Sequence, residues 1–458
     1  MSARQLEVVV NRDLVGWLRE ENDLWQFEYA PQWRASAAGF DLSPALDRAQ
    51  VLHVDGASSR PVQWYFDNLL PEEALRLTIA KDANLNAEDA FGLLAYFGAE
   101  SAGSLVLRNP GAVEPAGELA GELAGHGVRP LPLADLNHRI LNLAHAPLTK
   151  DAPKRMSLAG AQHKMLVILD SGELYEPLPA TPSTQILKPN HQSGDYPASV
   201  MNEYFIMRLA RRVGMQVPDV HRLYAPQPVY LIDRFDRIAP AASDGDLASR
   251  ADQVGRRHVI DTCQLLNKAR NFKYSAAHLD TLVEAIGQCR AKVAARLQLY
   301  RWVAFNILVG NGDNHLKNIS FTVDANGIDV APAYDMLCTT VYDTRAFAAD
   351  NARWPHSELA FSLPGARTFG EVRRAHVLAA GARLGLARGT AVRELDRLLS
   401  ALPAAADRLI EEIEADIGAQ VAACPDPAAA GVHIAGELRL LRAIRHVVLN
   451  DMRAQLAA

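Results

Sequence analysis

The chain predicts an α+β fold in which a strand-containing lobe precedes a helical lobe. Two observations carry this expectation. Short strand-like runs with turn signals dominate up to about residue 238, and long helical patterns dominate after 258. A third fixes the scale: 458 residues, 49% of them hydrophobic, can bury more than one core without disulfide staples.

The elements follow in order. Leu6–Val10 reads as a strand, Asn11-Arg12-Asp13 as a turn and Val15–Leu18 as the returning strand. Residues 65–80 read as one helix with Pro71 near its start and glutamates in its first turn. Asn86–Gly98 carries another helical pattern. Residues 109–132, rich in Gly, Ala and Pro, read as a flexible linker or insertion. Strands are expected at 165–169, 185–188 and 228–233, with a helix at 198–212 between them. Residues 239–257 read as a mobile loop. Helices are expected at 259–268, 277–290 and 291–309, short strands at 319–322 and 328–330, and mainly helices after 370. This gives five segments: a β-rich N-terminal subdomain (1–108), the linker (109–132), the core of a first lobe (133–238), the loop (239–257) and a helical lobe (258–458).

Composition excludes several classes. Lys+Arg 47 against Asp+Glu 53 leaves a net charge of −6, a poor balance for an autonomous nucleic-acid binder. Cys263, Cys289, Cys338 and Cys424 form no C-x-x-C pair, so zinc-ribbon and thioredoxin readings fail and reduced thiols are expected. No early apolar run resembles a signal peptide, and no stretch approaches 18 uncharged apolar residues, so a cytoplasmic protein is expected.

The sharpest chemical signal is Gly310-Asn311-Gly312-Asp313-Asn314-His315-Leu316-Lys317-Asn318, a polar loop after an apolar helix. Asp313 and Asn318 stand in D-x-x-x-x-N spacing, that of a phosphoryl-transfer loop: the Asp accepts a hydroxyl proton and the Asn ligates Mg²⁺. Asp335, in Ala333-Tyr334-Asp335-Met336 after a short hairpin, is placed to be a second metal carboxylate. A polar turn is the plainer alternative for the loop taken alone. Lys188 ends the strand-like run QILK, and Glu203 on the next helix could orient it. Ser157-Leu158-Ala159-Gly160-Ala161-Gln162-His163-Lys164 offers small residues whose backbone N–H groups could cradle phosphates; a plain tight turn is the alternative. Asp233-Arg234-Phe235 follows the strand 228–233, where a hinge would meet adenine. The alternative there is an amphipathic strand end with a surface ion pair.

Together these pieces resemble the HipA family of serine/threonine kinases, the toxins of bacterial HipBA toxin–antitoxin modules. The resemblance rests on SLAGAQHK (157–164), ILKP (186–189), NEYFIMRLA (202–210), DRFDR (233–237), DTCQLLN (261–267), NGDNHLKN (311–318) and AYDM (333–336), with VNRDLVGWL (10–18) and FDNLLPEE (66–73) upstream. It implies a two-lobed fold like those of protein and phosphatidylinositol kinases. It implies ATP and Mg²⁺ as cofactors, Asp313 as base, and Asn318 with Asp335 as metal ligands. Ala159, Gly160, Ala161, Gln162, His163 and Lys164 would cover the phosphates, and Lys188 would contact them. Asp233, Arg234 and Phe235 would form the adenine hinge. His315, Leu316, Lys317, Asn318, Tyr334 and Asp335 would complete the nucleotide site. The family's autophosphorylated serine falls on Ser157, as a self-inhibitory site. Implied partners are a helix-turn-helix antitoxin dimer of the HipB type, operator DNA mainly through that antitoxin, and a protein substrate of the aminoacyl-tRNA synthetase kind, with growth arrest and persistence as consequences. A co-repressor with dispensable catalysis and a small-molecule or lipid kinase are the competing readings.

Overall fold

The computed structural model describes residues 3–111, 125–160, 162–240 and 245–457. They divide into two units. The first holds residues up to Lys188 with Asp233–Arg270 and Phe321–Ile328, and the second holds Pro189–Ile232, Asn271–Ser320 and Asp329–Ala458. The expected linker and loop lie partly outside the described residues, and Ala161 lies outside them altogether.

The first unit opens with an antiparallel sheet in the order Leu52–Val54, Leu24–Tyr29, Asp13–Glu21, Arg4–Val10, Leu105–Arg108. The Asn11 turn, at φ 54°, joins the first two strands, and their register sets Leu6 opposite Leu18 and Val8 opposite Gly16. Gly16 is required by the close approach of the next strand, since a Cβ there would meet the Glu28 carbonyl at 2.1 Å. Alternate residues bury Leu6, Val8, Leu18, Phe27 and Tyr29, the half-covered pattern of an antiparallel sheet. The same unit contains the antiparallel strands Met165–Asp170, Glu173–Pro177 and Gln185–Pro189, with Met165 opposite Leu187 and Ile168 opposite Tyr175.

The second unit is built around the helix Lys292–Leu308, whose residues Trp302 to Leu308 are all buried. A helix apolar on every side in this way needs neighbours all round. Those include Leu279–Gln288, Arg374–Arg383, the long Arg388–Ala422 helix and Leu449–Ala457. The helix Ser199–Arg212 and the hairpin of Val220–Tyr224 with Pro228–Asp233 complete it.

The elements fit an α+β fold, with local differences. The expected 65–80 helix is two helices, Pro61–Asp67 and Glu73–Asp82, because Pro71 lacks an N–H and pushes its predecessor out of helical geometry. The expected 259–268 helix begins as a strand, Val259–Asp261, and only Thr262–Leu265 is helical. Asp261 and Gln264 form a reciprocal capping box that starts the helix late. The hairpin of Glu358–Leu363 with Ala366–Thr368 has no sequence counterpart in the expected order. All four cysteines are buried and free. No described helix is long and apolar enough to cross a membrane.

Candidate active site

The polar loop is held to its helix by a chain of short bonds. Gly310 ends the helix at φ 68°, and a Cβ there would stand 2.1 Å from the Thr340 hydroxyl oxygen, so only glycine fits. Asn311 donates from Nδ2 to Asn306 Oδ1 at 2.7 Å and accepts the Asp313 N–H at 3.0 Å. Gly312 donates its N–H to Thr339 Oγ1 at 2.7 Å. Asp313 is thereby presented on a tight frame while its carboxylate stays partly exposed.

Four groups act on the Asp313 carboxyl. Burial raises its pKa most; His315, a hydrogen bond from Tyr274 and Lys273 oppose that rise, and the charge of Asp335 adds to it. The Tyr274 hydroxyl donates to Asp313 Oδ1 at 2.6 Å, and its ring packs edge-on against His315 at 4.9 Å. Asn318 sits on a single 3₁₀ turn, Leu316–Asn318. Its side chain donates to the Asp313 carbonyl at 2.9 Å. A carbonyl only accepts, so this contact takes Nδ2 and not Oδ1. Asp335 has φ 56°, a left-handed conformation that costs a non-glycine residue about 1–2 kcal/mol and that clusters at functional sites. Tyr334 donates to the Lys317 carbonyl at 2.8 Å, so Ser320, 2.7 Å away, must donate to the tyrosine oxygen. Asp313, Asn318, Tyr334 and Asp335 are thus brought together within the second unit, with His315, Leu316 and Lys317 buried beneath the loop.

The first unit holds the remaining expected residues. Ser157 is fully buried; its N–H reaches the Glu100 carbonyl at 2.7 Å, and its hydroxyl donates to the Leu69 carbonyl at 2.7 Å. Gly160, at φ 107°, turns the chain so that Lys164 Nζ closes back on the Ala159 carbonyl at 2.6 Å. Gln162 and His163 lie on the same turn, half-buried. Lys188 is buried near the end of its strand, and Asp233 accepts from Gln185 at 3.1 Å. Phe235 is half-buried. In the second unit Glu203 is buried on the helix Ser199–Arg212.

Arg234 has a different part from that of a surface ion pair. It is buried with every guanidinium nitrogen engaged: Nε and Nη2 on Asp236 at 2.9 and 2.6 Å, Nη1 on Glu100 at 3.1 Å and on Ser183, Nη2 also on the Ser101 carbonyl. Its backbone N–H meets the Thr184 carbonyl, and its own carbonyl accepts from Arg237. Glu100 beneath it, with no exposed surface, also binds Lys154 at 2.7 Å, Arg237 at 2.6 Å and Arg256 at 2.9 Å. These cations hold the Glu100 carboxylate ionised, well below the usual range, against strong desolvation.

Comparison with known proteins shows the family. Residues 156–416 match the HipA-like C-terminal domain, and residues 6–108 match the HipA N-terminal domain. The chain belongs to the HipA family. The matched C-terminal domain spans every candidate site residue, from Ser157 to Asp335. Among HipA relatives, a protein of Sinorhizobium fredii named "Putative kinase Y4mE" is 33% identical over 75% of this chain and 79% of its own length. The serine/threonine-protein kinase toxin HipA of Shewanella oneidensis is 27% identical over 74% of this chain and 77% of its own. A solved structure of the Shewanella oneidensis HipA, HipB and operator DNA complex shares the fold, with a TM-score of 0.72 at 24% identity over 98% of this chain and 99% of that one.

One residue beside this site had no sequence signal, and another was read without its burial. Tyr274 stands in Asn271-Phe272-Lys273-Tyr274, far from Asp313 in sequence and in no motif. Arg234 was legible as a charge after a strand but not as a buried one.

Proposed function

We propose that the chain is an ATP- and Mg²⁺-dependent serine/threonine protein kinase that acts as the toxin of a toxin–antitoxin module. The observation that carries this reading is the grouping on one loop frame: Asn318 bonds the Asp313 carbonyl at 2.9 Å, and Tyr334, the neighbour of Asp335, bonds the Lys317 carbonyl at 2.8 Å. Asp313 takes the proton of the attacking hydroxyl, and Tyr274 fixes one of its oxygens so that the other faces the substrate. The donor set fits Mg²⁺, which prefers hard oxygens and is commonly held by one or two carboxylates together with phosphate oxygens. Asn318 Oδ1 and the Asp335 carboxylate would hold it, and the ion when bound offsets charge on the transferring phosphoryl group. Lys188, oriented by Glu203, would bind the α/β-phosphates of ATP. Ala159 to Lys164 would cover the phosphates, and His315, Leu316, Lys317 and Tyr334 would line the nucleotide site. At the hinge, Asp233 and Phe235 would meet adenine while Arg234, already fully bonded, anchors them from behind.

Ser157 is the self-inhibitory site in this reading. Its hydroxyl is a donor to a carbonyl in a closed pocket, and a phosphate there, with acceptor oxygens and about −1.5 to −2 charge, cannot keep that bond. Phosphorylation would therefore displace the 157–164 turn and the backbone groups it offers. The HipA–HipB–operator DNA complex of the structural relative supports an antitoxin of the HipB type as partner, in this reading a helix-turn-helix dimer, and the acidic balance of −6 supports DNA contact chiefly through that antitoxin. The substrate in this reading is a cytoplasmic protein of the aminoacyl-tRNA synthetase type, and its loss arrests translation and growth.

The deciding experiment is expression of wild type beside Asp313→Ala without antitoxin, followed by phosphoproteomics. Growth arrest and new phosphoserines with wild type only would support the kinase toxin and name its target. Equal arrest by both variants would overturn it in favour of a binding mechanism.

A further inference from the structure

Asn202 stands beside Glu203 on the helix Ser199–Arg212 and has no exposed surface. The motif Asn202-Glu203-Tyr204 marks the helix, yet the lysine-orienting role uses only the glutamate. The asparagine does something separate. Its Oδ1 accepts the Cys338 N–H at 2.8 Å, and its Nδ2 donates to the Cys338 carbonyl at 2.9 Å. Both main-chain groups of one residue are thus taken by one side-chain amide, which fixes the amide orientation without ambiguity. Nδ2 also reaches the Tyr342 hydroxyl at 3.2 Å, and that hydroxyl donates to the Pro197 carbonyl at 3.1 Å, just before the helix begins.

Cys338 lies three positions after Asp335. The residues that follow it are tied on their other side to the catalytic loop. Thr340 donates its N–H and its hydroxyl to the Gly310 carbonyl at 3.1 and 2.9 Å, and Thr339 Oγ1 accepts the Gly312 N–H at 2.7 Å. From Gly310 and Gly312 the bonds continue through Asn311 to the Asp313 N–H. The segment carrying Asp335 is therefore fastened between two elements, the Glu203 helix and the Asp313 loop. Asn202 ties that helix to this segment at Cys338 and at Tyr342.

We propose that Asn202 is a positioning residue for phosphoryl transfer: its two-point grip on Cys338 sets the Asp335 carboxylate relative to Asp313 and Asn318. This rests on the kinase reading above. Asp335 holds a left-handed backbone, a conformation that aspartate tolerates better than most residues but that still costs free energy, so bonds to the segment around it help to hold it there. The Asn202 grip is one such restraint, three residues after Asp335, and groups that orient a metal ligand are typically worth 10–100-fold in metal affinity.

The test uses the full chain and calorimetric titration of Mg²⁺ in the presence of AMP-PNP, a readout independent of turnover. Asn202→Ala is expected to weaken Mg²⁺ binding by about 10–100-fold, while AMP-PNP binding in EDTA stays within about twofold of wild type. Asn202→Asp, which keeps an acceptor for the Cys338 N–H and loses only the donor, is expected to fall between them. Unchanged Mg²⁺ affinity in Asn202→Ala overturns the proposal. So does an equal loss of metal-free AMP-PNP binding and of the cooperative thermal transition in both variants, because that would make the residue merely structural. The kinase reading fails separately: wild type that binds Mg²⁺ with AMP-PNP but transfers no phosphate to protein leaves the positioning role standing and removes the reaction. Wild type that binds neither overturns both.

Discussion

Tyr274 donates its hydroxyl to Asp313 Oδ1 at 2.6 Å, from a side chain that is itself 48% exposed. An open tyrosine bonded to the candidate base restrains that base in one orientation. The bond also favours the charged carboxylate, against the burial that raises its pKa. Tyr274→Phe should therefore raise the Asp313 pKa further and move the acid limb of the kcat–pH profile upward, with full activity recovered at higher pH. A profile that keeps its acid limb and falls uniformly would show that the hydroxyl serves only in packing.

Asp335 adds to the same rise through its charge, behind burial and against His315 and Tyr274. Asp335→Asn removes the charge and keeps a residue type that tolerates φ 56°. It should leave the melting temperature nearly unchanged, abolish metal-dependent transfer and lower the Asp313 pKa, which carboxyl-labelled NMR would read directly. Asp335→Ala should in addition lose about 1 kcal/mol of stability from backbone strain. Equal stabilities for the two variants would argue against strain at this residue.

Gly310→Ala introduces a Cβ that meets Thr340 Oγ1 at 2.1 Å and Val448 Cγ1 at 2.7 Å, at a φ of 68°. The loop must shift, because neither neighbour is the free end of a flexible side chain. A loss of about 2–4 kcal/mol in denaturant unfolding is expected, combining overpacking with a disfavoured backbone. Activity should fall by more than the folded fraction does, since the displaced residue begins the frame that carries Asp313.

The candidate loop was legible because its pattern is local: aspartate and asparagine in fixed spacing, after a helix whose end demands a glycine. The strand-then-helix order was legible for the same reason, since periodicity is a local property. What escaped depends on distant parts of the chain. Tyr274 reaches Asp313 only through the fold, and Arg234 is buried by Glu100 and Asp236, one of them far upstream. The split of the 65–80 helix was in principle readable, because Pro71 sits where a continuous helix would need an N–H. The late start at Asp261 was also signalled, by a capping residue three positions before a glutamine.

Glu100 is bonded to Lys154, Arg234, Arg237 and Arg256, and it shares Arg234 and Arg237 with Asp236. Glu100→Gln takes this carboxylate from Lys154 and Arg256 and leaves Arg234 and Arg237 to share Asp236. A destabilisation of about 3–5 kcal/mol is expected from breaking a buried ion cluster on one side only. Because the Glu100 carbonyl also holds the Ser157 N–H, the same variant should open the 157–164 turn to limited proteolysis before the rest of the chain. Simultaneous cleavage throughout would show that the cluster and the turn are not separable.

His258 gives the first unit a pH dependence of its own. The ring is buried, with Nε2 at 3.0 Å from the Leu42 carbonyl and Nδ1 at 3.0 Å from Ser104 Oγ. The carbonyl can only accept, so Nε2 carries the proton and Nδ1 accepts from the serine; the Tyr65 hydroxyl lies 3.2 Å from Nε2. Burial lowers its pKa from 6.5 to about 4. Between those values the unfolded chain binds a proton that the folded chain refuses, so stability rises with pH across the window. The contribution is fully present above 6.5 and is lost as pH falls toward 4, to a total of about 3 kcal/mol. Urea unfolding of wild type from pH 7 to pH 4 should show this slope, and His258→Gln should flatten it by the share of one proton at the cost of some stability at pH 7. An unchanged slope in the variant would place the acid sensitivity in other groups.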